Sequence, residues 1–388
     1  MNLRTLLEAI NDRNIVSGLT HDIYRYPARF SPVFARAAIE LFTAPGDTVF
    51  DPFMGGSTTL VEALALGRHA IGTDINQLSV FLARVKTLLL SDPEIDMLRV
   101  WADNMVPDLS PRKPVVRHTV WQDMGYQDNL PWRFRKLAEQ ALNNAQILLE
   151  GGVLLAARCV VLKTVQWAVD CKKALPTASE FRTKIVADAD AVADGLRALR
   201  QQVEALGARR PTVEAHYCAA DAIGRIRSSV LRRRPPKLVV TSPPYAGVHV
   251  LYHRWQVLGR RETAAPYWIT ESNDGRGASF YTFCDRRRQD HDEKYFARLL
   301  ACFTAVREVV RDDCVIAQLV GFAQPSEQLP LYLDAMRDAG FADFDFRRFG
   351  HRPAEAVFWR AVPNRKWYTR IRDDIKQSKE VLLLHRAR

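Results

Sequence analysis

The chain has 388 residues, 47% hydrophobic and 26% charged, which excludes a disordered or fibrous protein and allows one large domain or two smaller ones. Lys and Arg total 55 against 44 Asp and Glu, a formal charge of +11, and such an excess favours a polyanionic partner, nucleic acid being the commonest. The first residues carry no apolar signal core, and the longest apolar stretch, 152–161, is interrupted by Arg158, so a cytoplasmic protein without a membrane span is expected. The 6 cysteines are scattered without a C-x-x-C pair, which argues against a zinc site or a disulfide framework.

In chain order, residues 1–11 read as a short amphipathic helix, and His21 to Pro32 as an ordered loop rich in aromatic, basic and proline residues. Ser31-Pro32 starts a helix, Ser as cap and Pro at the first position. Thr48-Val49-Phe50 is a short strand ending at Asp51 and a run of small residues, Gly55 to Thr59. A helix, Leu60 to Leu66, and a second strand, His69 to Thr73, lead to Asp74-Ile75-Asn76. Strand, small-residue turn, helix, strand and acid open a doubly wound α/β sheet that binds a nucleoside. Asp74 follows Asp51 by 23 residues, close to the roughly 20 at which an acid accepts from ribose hydroxyls; capping the next helix is its alternative role. The turn is neither G-x-G-x-x-G nor a P-loop, and Asp51 would repel a phosphate but welcome a cation. A nucleoside with a cationic amino-acid tail fits, and S-adenosylmethionine is such a molecule.

Residues 79–90 read as an apolar helix, 91–132 as irregular, and 133–149, 153–174 and 178–206 as helices. Residues 91–210 thus form a helical insertion, a candidate for target recognition, for covering the site or for dimerisation. Val213 to Cys218 is a third strand, followed by Asp221, which is placed to accept from an adenine amino group or else to sit in a surface turn. Arg232, Arg233 and Arg234 precede the strand Lys237 to Val240 and suit phosphate contacts or a solvated face. That strand runs into Thr241-Ser242-Pro243-Pro244-Tyr245, where two prolines end it in a rigid turn with a hydroxyl, fixed carbonyls and an aromatic face. Such a turn can grip a flat ring bearing an amine. Residues around His249, Tyr252, His253, Arg254 and Trp255 read as helical to Gly259. The stretch 246–290, with Tyr267-Trp268 and Arg286, Arg287 and Arg288, reads as a DNA-facing loop. Alternating helices and strands then complete a sheet of about seven strands, with the last strands near 356–360 and 380–384.

Four blocks give the chain a resemblance to the amino-methyltransferases of DNA, which act on exocyclic amines of cytosine or adenine. Tyr26-Pro27-Ala28-Arg29-Phe30 resembles the family's loop over the methionine end of the cofactor, which implies contacts from Tyr26, Pro27 and Phe30. Asp51, Pro52, Phe53, Met54, Gly55, Gly56, Ser57, Thr58 and Thr59 are similar to its D-P-F-x-G-S-G-T-T cofactor turn, with Ser57 standing where the pattern has its second glycine. Gly72-Thr73-Asp74-Ile75-Asn76 resembles the ribose block, and Thr241 to Tyr245 matches the catalytic [DNS]-P-P-[YFW] block.

The resemblance implies S-adenosylmethionine as cofactor, held by these blocks together with Asp221 and Thr241. It implies Ser242, Pro243, Pro244 and Tyr245 as the catalytic set, no metal, and sequence-specific double-stranded DNA as substrate. A cognate restriction endonuclease is a possible partner, and the protein would be a monomer or homodimer. The Ser form of the block points mainly to N4 of cytosine, with N6 of adenine the alternative. RNA amine methylation, and a non-catalytic nucleic-acid-binding module, are further readings. No cysteine follows a proline, which sets carbon-5 methylation aside. The expected layout is a cofactor part over 1–90, the insertion over 91–210 and a catalytic part over 211–388.

Overall fold

The computed structural model describes residues 3–12, 14, 16–27, 30–114, 119–208, 210–226, 228–247, 254–259, 261–275, 278–284, 288–345, 347, 357–362 and 378–388. Ten strands occur among them: β1 Thr48–Asp51, β2 His69–Asp74, β3 Val213–Tyr217, β4 Leu238–Thr241, β5 Trp255–Val257, β6 Arg261–Thr263, β7 Val315–Val320, β8 Phe341–Asp343, β9 Phe358–Val362 and β10 Ser378–Ala387. Eight make one sheet in the order β3-β2-β1-β4-β7-β10-β8, with β9 paired to β10; β5 and β6 form a separate ribbon. From β3 to β7 the pairings are parallel, and β10 enters antiparallel between β7 and β8. The doubly wound α/β reading therefore holds, with eight strands in place of about seven.

The parallel centre is continuous apolar sequence because helices cover both faces. Every residue of β1, β4 and β7 is buried. Beneath the sheet, the helix Pro32–Phe42 starts as its sequence dictates: Ser31 Oγ accepts from the Val33 amide, and Pro32 occupies the first turn. The helix Thr58–Ala65 is buried along its whole length.

The insertion is helical, and two of the sequence expectations need correction, the first within it. Residues 91–132 are not irregular throughout: Asp92–Met105 is a helix, started by a Ser91/Glu94 capping box with Pro93 in its first turn. Helices Asp92–Met105 and Ala178–Glu204 are joined by ion pairs of Arg99 to Asp190 and Asp194, and of Arg197 and Arg200 to Asp92. Those arginines fasten helix to helix. The central helix, Gly151–Val169, is long and apolar enough by composition to cross a membrane, yet 72% of its apolar window is buried inside the fold. Its Arg158 is buried too, donating to the Ile269 carbonyl and paired with Glu271.

The second correction concerns the stretch 246–290. Residues 255–257 are a strand and not a helix, because they pair with 261–263 and pack on the insertion. Ala265–Thr270 is a helix with every residue buried. Tyr267 and Trp268, read above as facing nucleic acid, are 0% and 4% exposed and complete the insertion's apolar core. His249, Tyr252, His253, Arg286 and Arg287 lie outside the described residues.

Candidate active site

The site lies at the carboxyl ends of β1, β2 and β4, the end at which open α/β sheets bind ligands. Asp51 closes β1 and is 1% exposed. Its Oδ1 accepts from the Phe53 amide at 3.1 Å and from the Thr241 hydroxyl at 2.7 Å. Its Oδ2 is buried with no hydrogen-bond partner among the described residues. Burial pushes the Asp51 carboxyl up to about 7, against the pull of the Thr241 hydroxyl and the Phe53 amide. An ionised carboxylate there needs a donor or a cation, and none of the described residues supplies one to Oδ2.

Asp74 closes β2. Its Oδ2 accepts from the Gly55 amide at 2.9 Å and its Oδ1 from the Asn76 amide at 2.8 Å, which ties the first turn to the second. Desolvation raises this carboxyl to about 6 in spite of both amides. Each oxygen keeps a second lone pair for a hydroxyl donor. Asn76 caps the next helix by accepting from the Leu78 amide. Its amide nitrogen donates to the Tyr26 hydroxyl at 3.3 Å, and its side-chain oxygen accepts from Tyr267 at 3.2 Å. Burial first, and Asp74 next, hold the Tyr26 phenol well above its ordinary range. Gly55 has φ +41°, and a Cβ there would stand 3.2 Å from the Tyr26 ring, so this turn needs the bare backbone.

The swapped small residues of the cofactor turn have a local consequence. Ser57 adopts φ +66°, the left-handed region, and its buried hydroxyl lacks a partner among the described residues. Gly at this position is expected to raise stability by about 1 kcal/mol, with cofactor affinity retained; chemical denaturation of Ser57→Gly measures it, and a loss of stability would show that the side chain is needed.

The turn expected to be catalytic follows β4. Ser242 Oγ is 3.1 Å from the Tyr245 hydroxyl, which donates at 2.6 Å to Glu380 on β10. Tyr295, from the helix His291–Val309, donates to the Pro244 carbonyl at 2.5 Å. Gly321, just after β7, is where the Tyr245 ring lies: a Cβ there would stand 2.6 Å from it. Gly321→Ala is therefore expected to displace the ring and cost about tenfold in turnover while melting within a few degrees of the parent; normal turnover would mean that the ring position is unimportant.

Other expected residues fall variously. Pro52 accepts from Thr73 Oγ1 and Thr59 donates to the Val240 carbonyl, so both brace the strand ends. The Phe53 ring packs edge-on to Phe283. Phe30 is in the core against Phe34, and Pro27 is half-buried; Ala28 and Arg29 are outside the described residues. Thr58 is buried, Ile75 half-buried, and Asp221 is exposed in a short turn of helix beyond β3. Arg288 is paired with Asp290.

Arg232, Arg233 and Arg234 do not join the site. The short helix Ser229–Arg233 feeds the amino end of β4, whereas Thr241 stands at its carboxyl end. There Arg233 and Arg234 line a cleft with His69, Arg210 and Thr212. Neighbours in sequence are separated by the length of a strand.

Three contributors carry little sequence signal. Lys86, 1% exposed, donates to the Gly56 carbonyl at 2.9 Å and supports the cofactor turn from behind. Glu62, 3% exposed, takes His21 at 2.6 Å and Arg36 at 2.7 Å. Glu380 reaches Tyr245 across 135 residues of sequence. Lys86 shares its helix with Arg84, and Glu380 shares β10 with Lys379 and Arg386, so no local pattern singles them out.

Residues 7–83 match a family model described as DNA methylase. The type II methyltransferase M.MvaI of Kocuria varians is 41% identical over 93 residues, 21% of this chain and 20% of that protein. The type II methyltransferase M.MjaII of Methanocaldococcus jannaschii is 36% identical over 66 residues, 17% of this chain and 12% of that protein. The matched segments thus span about a fifth or less of these curated relatives. Among solved structures, the rRNA methyltransferase aviRa of Streptomyces viridochromogenes overlays 99% of this chain and 96% of its own, at 13% identity and a TM-score of 0.38, too loosely to bear on substrate. The matched segment holds the Asp51 and Asp74 turns, and over it the chain is similar to DNA methylases.

Proposed function

We propose that the protein methylates the N4 amine of cytosine at specific sites in double-stranded DNA, acting on a base flipped out of the duplex, with S-adenosylmethionine as donor. Restriction-modification or a related defence, with a partner endonuclease, is the setting this activity suits. The observation that carries the reading is the 2.7 Å bond from Thr241 to Asp51, which joins the amine-gripping turn to the cofactor turn at adjacent strand ends.

The residues fit the cofactor. Asp51 offers a buried oxygen without a partner among the described residues, suited to a cationic group. Asp74 offers lone pairs to ribose hydroxyls, and Gly55 and Gly56 allow close backbone approach. When bound, S-adenosylmethionine supplies an electrophilic methyl group on a positively charged sulfur.

This chain's own side chains do the rest. An exocyclic amine is a poor nucleophile because its lone pair is delocalised into the ring. Ser242 Oγ and the Pro243 carbonyl accept the amine's two hydrogens and favour a pyramidal nitrogen. The neighbouring Pro244 carbonyl is already capped by Tyr295. Tyr245 offers its face to the base, which has to leave the duplex because its amine is otherwise paired. Arg232 to Arg234 and Arg286 to Arg288 are proposed phosphate contacts. Changing either triple to glutamine is expected to flatten the salt slope of DNA binding by about 1–3 charges; an unaltered slope would mark that triple as merely solvated.

The deciding experiment is to express the protein and identify methylated bases in host DNA by mass spectrometry. N4-methylcytosine is expected. N6-methyladenine would move the assignment to adenine, and neither product, with no cofactor binding by calorimetry, would leave a nucleic-acid-binding module.

A further inference from the structure

The catalytic turn is connected to a buried ion pair that none of its own sequence announces. Glu380 on β10 is 4% exposed. Its Oε2 accepts from Arg360 Nε on β9 at 2.9 Å, and its Oε1 accepts from the Tyr245 hydroxyl at 2.6 Å. Arg360 also donates to the Ile10 carbonyl at 2.8 Å, so the pair is fixed from both sides.

A carboxylate is an acceptor only, and a guanidinium a donor only. Direction therefore propagates. The Tyr245 proton points at Glu380, so the Tyr245 oxygen receives a hydrogen bond, and Ser242, 3.1 Å away, is the group that supplies it. The Ser242 proton is thereby committed inward, and its lone pairs face the pocket.

We infer that Glu380 is a positioning residue that sets the hydrogen-bond polarity of the catalytic turn, and that this polarity makes the pocket select a base with an amine over one with a carbonyl at the same position. The inference rests on the methyl-transfer reading above and adds a discriminating role to it. An amine brings hydrogens to the Ser242 lone pairs. A carbonyl oxygen would bring lone pairs against lone pairs, and a polar site built for one partner rejects the other strongly.

The chemistry of Glu380→Gln gives the test. Arg360 keeps an oxygen facing it, so the amide nitrogen turns to Tyr245. Tyr245 must then donate to Ser242, and Ser242 donates into the pocket. The measurement uses the full chain and two duplexes containing a mapped site. One carries the natural target base, the other its carbonyl counterpart, uracil for cytosine or hypoxanthine for adenine. The parent is expected to bind the amine duplex at least about tenfold tighter, and Glu380→Gln to lose that ratio. Tyr245→Phe, which keeps the ring and the ion pair but breaks the chain, is expected to lower the ratio as well. Adding Glu380→Gln to Tyr245→Phe is then expected to change the ratio no further.

Equal weakening of both duplexes, or the same change of ratio from Glu380→Gln in both backgrounds, would make Glu380 a structural residue and overturn the inference. If Glu380→Gln does not fold, an unchanged ratio in Tyr245→Phe overturns it alone. A parent that methylates neither base defeats the methyl-transfer reading, whereas a parent that methylates while its variants keep the ratio defeats only this inference.

Discussion

Asp51→Asn is expected to weaken S-adenosylmethionine binding by about 10- to 100-fold while making the ligand-free protein more stable at alkaline pH. The loss follows from removing the charged acceptor: hydrogen bonds to a charged group contribute about 1.5–3 kcal/mol. The gain follows from linkage. The carboxyl rests near 3.8 in the unfolded chain and at about 7 in the fold, so between those values the folded state binds more protons than the unfolded one. Unfolding free energy therefore falls as pH rises through that window, and the cost of holding the charge is fully felt above it. Asparagine keeps the shape without the charge. The variant should melt several degrees above the parent at pH 8 and near it at pH 5, where the parent's carboxyl is largely protonated. Asp74, raised to about 6, adds to the same trend. Cofactor binding near pH 7 should release protons, visible as a dependence of calorimetric heat on buffer ionisation enthalpy. Identical melting at pH 8, with unchanged affinity, would remove Asp51 from the cofactor site.

Ser242→Ala should leave cofactor affinity within about twofold and lower turnover by about 100-fold, the scale on which a positioned proton acceptor contributes. The side chain is half-buried at the mouth of the turn and, among the described residues, bonds to Tyr245 alone, so its loss should cost little stability. Single-turnover methylation of a mapped duplex, with cofactor affinity measured in parallel, separates the effects. Parent-like turnover would transfer the amine-gripping role to the Pro243 carbonyl and the ring.

The site was legible in sequence where it is local. Asp51, Asp74 and Ser242 each end a buried strand, and short blocks of proline and small residues mark those ends. The glycine swap at Ser57 was also visible, and its physical cost appears only as the positive φ. Reading failed where contacts cross the chain. Tyr267 and Trp268 look like a basic-aromatic loop in a local window, but the insertion's core claims them. Helix Asp92–Met105 hid behind Pro93, although the Ser91/Glu94 box was present to be read. Arg232 to Arg234 adjoin the catalytic strand in sequence, and strand direction carries them to its far end. Glu380 could not be paired with Tyr245 without knowing that β10 runs back through the sheet beside β7.

The bond from Tyr267 to Asn76 bears on how this protein can be re-engineered. The core around the insertion also takes in Leu78, Phe81 and Leu82, the ribbon residues Trp255 and Val257, and the 265–270 helix, and Trp255 bonds to Tyr24. Residues 91–210 are therefore not an exchangeable cassette. A chimera that grafts them alone would strand that apolar surface, because Trp255, Val257, Tyr267 and Trp268, which complete it, lie outside 91–210. The unit to transplant is the insertion together with residues 254–275 and the matching face of the helix Gln77–Lys86, so any such graft carries the helix that Asn76 caps.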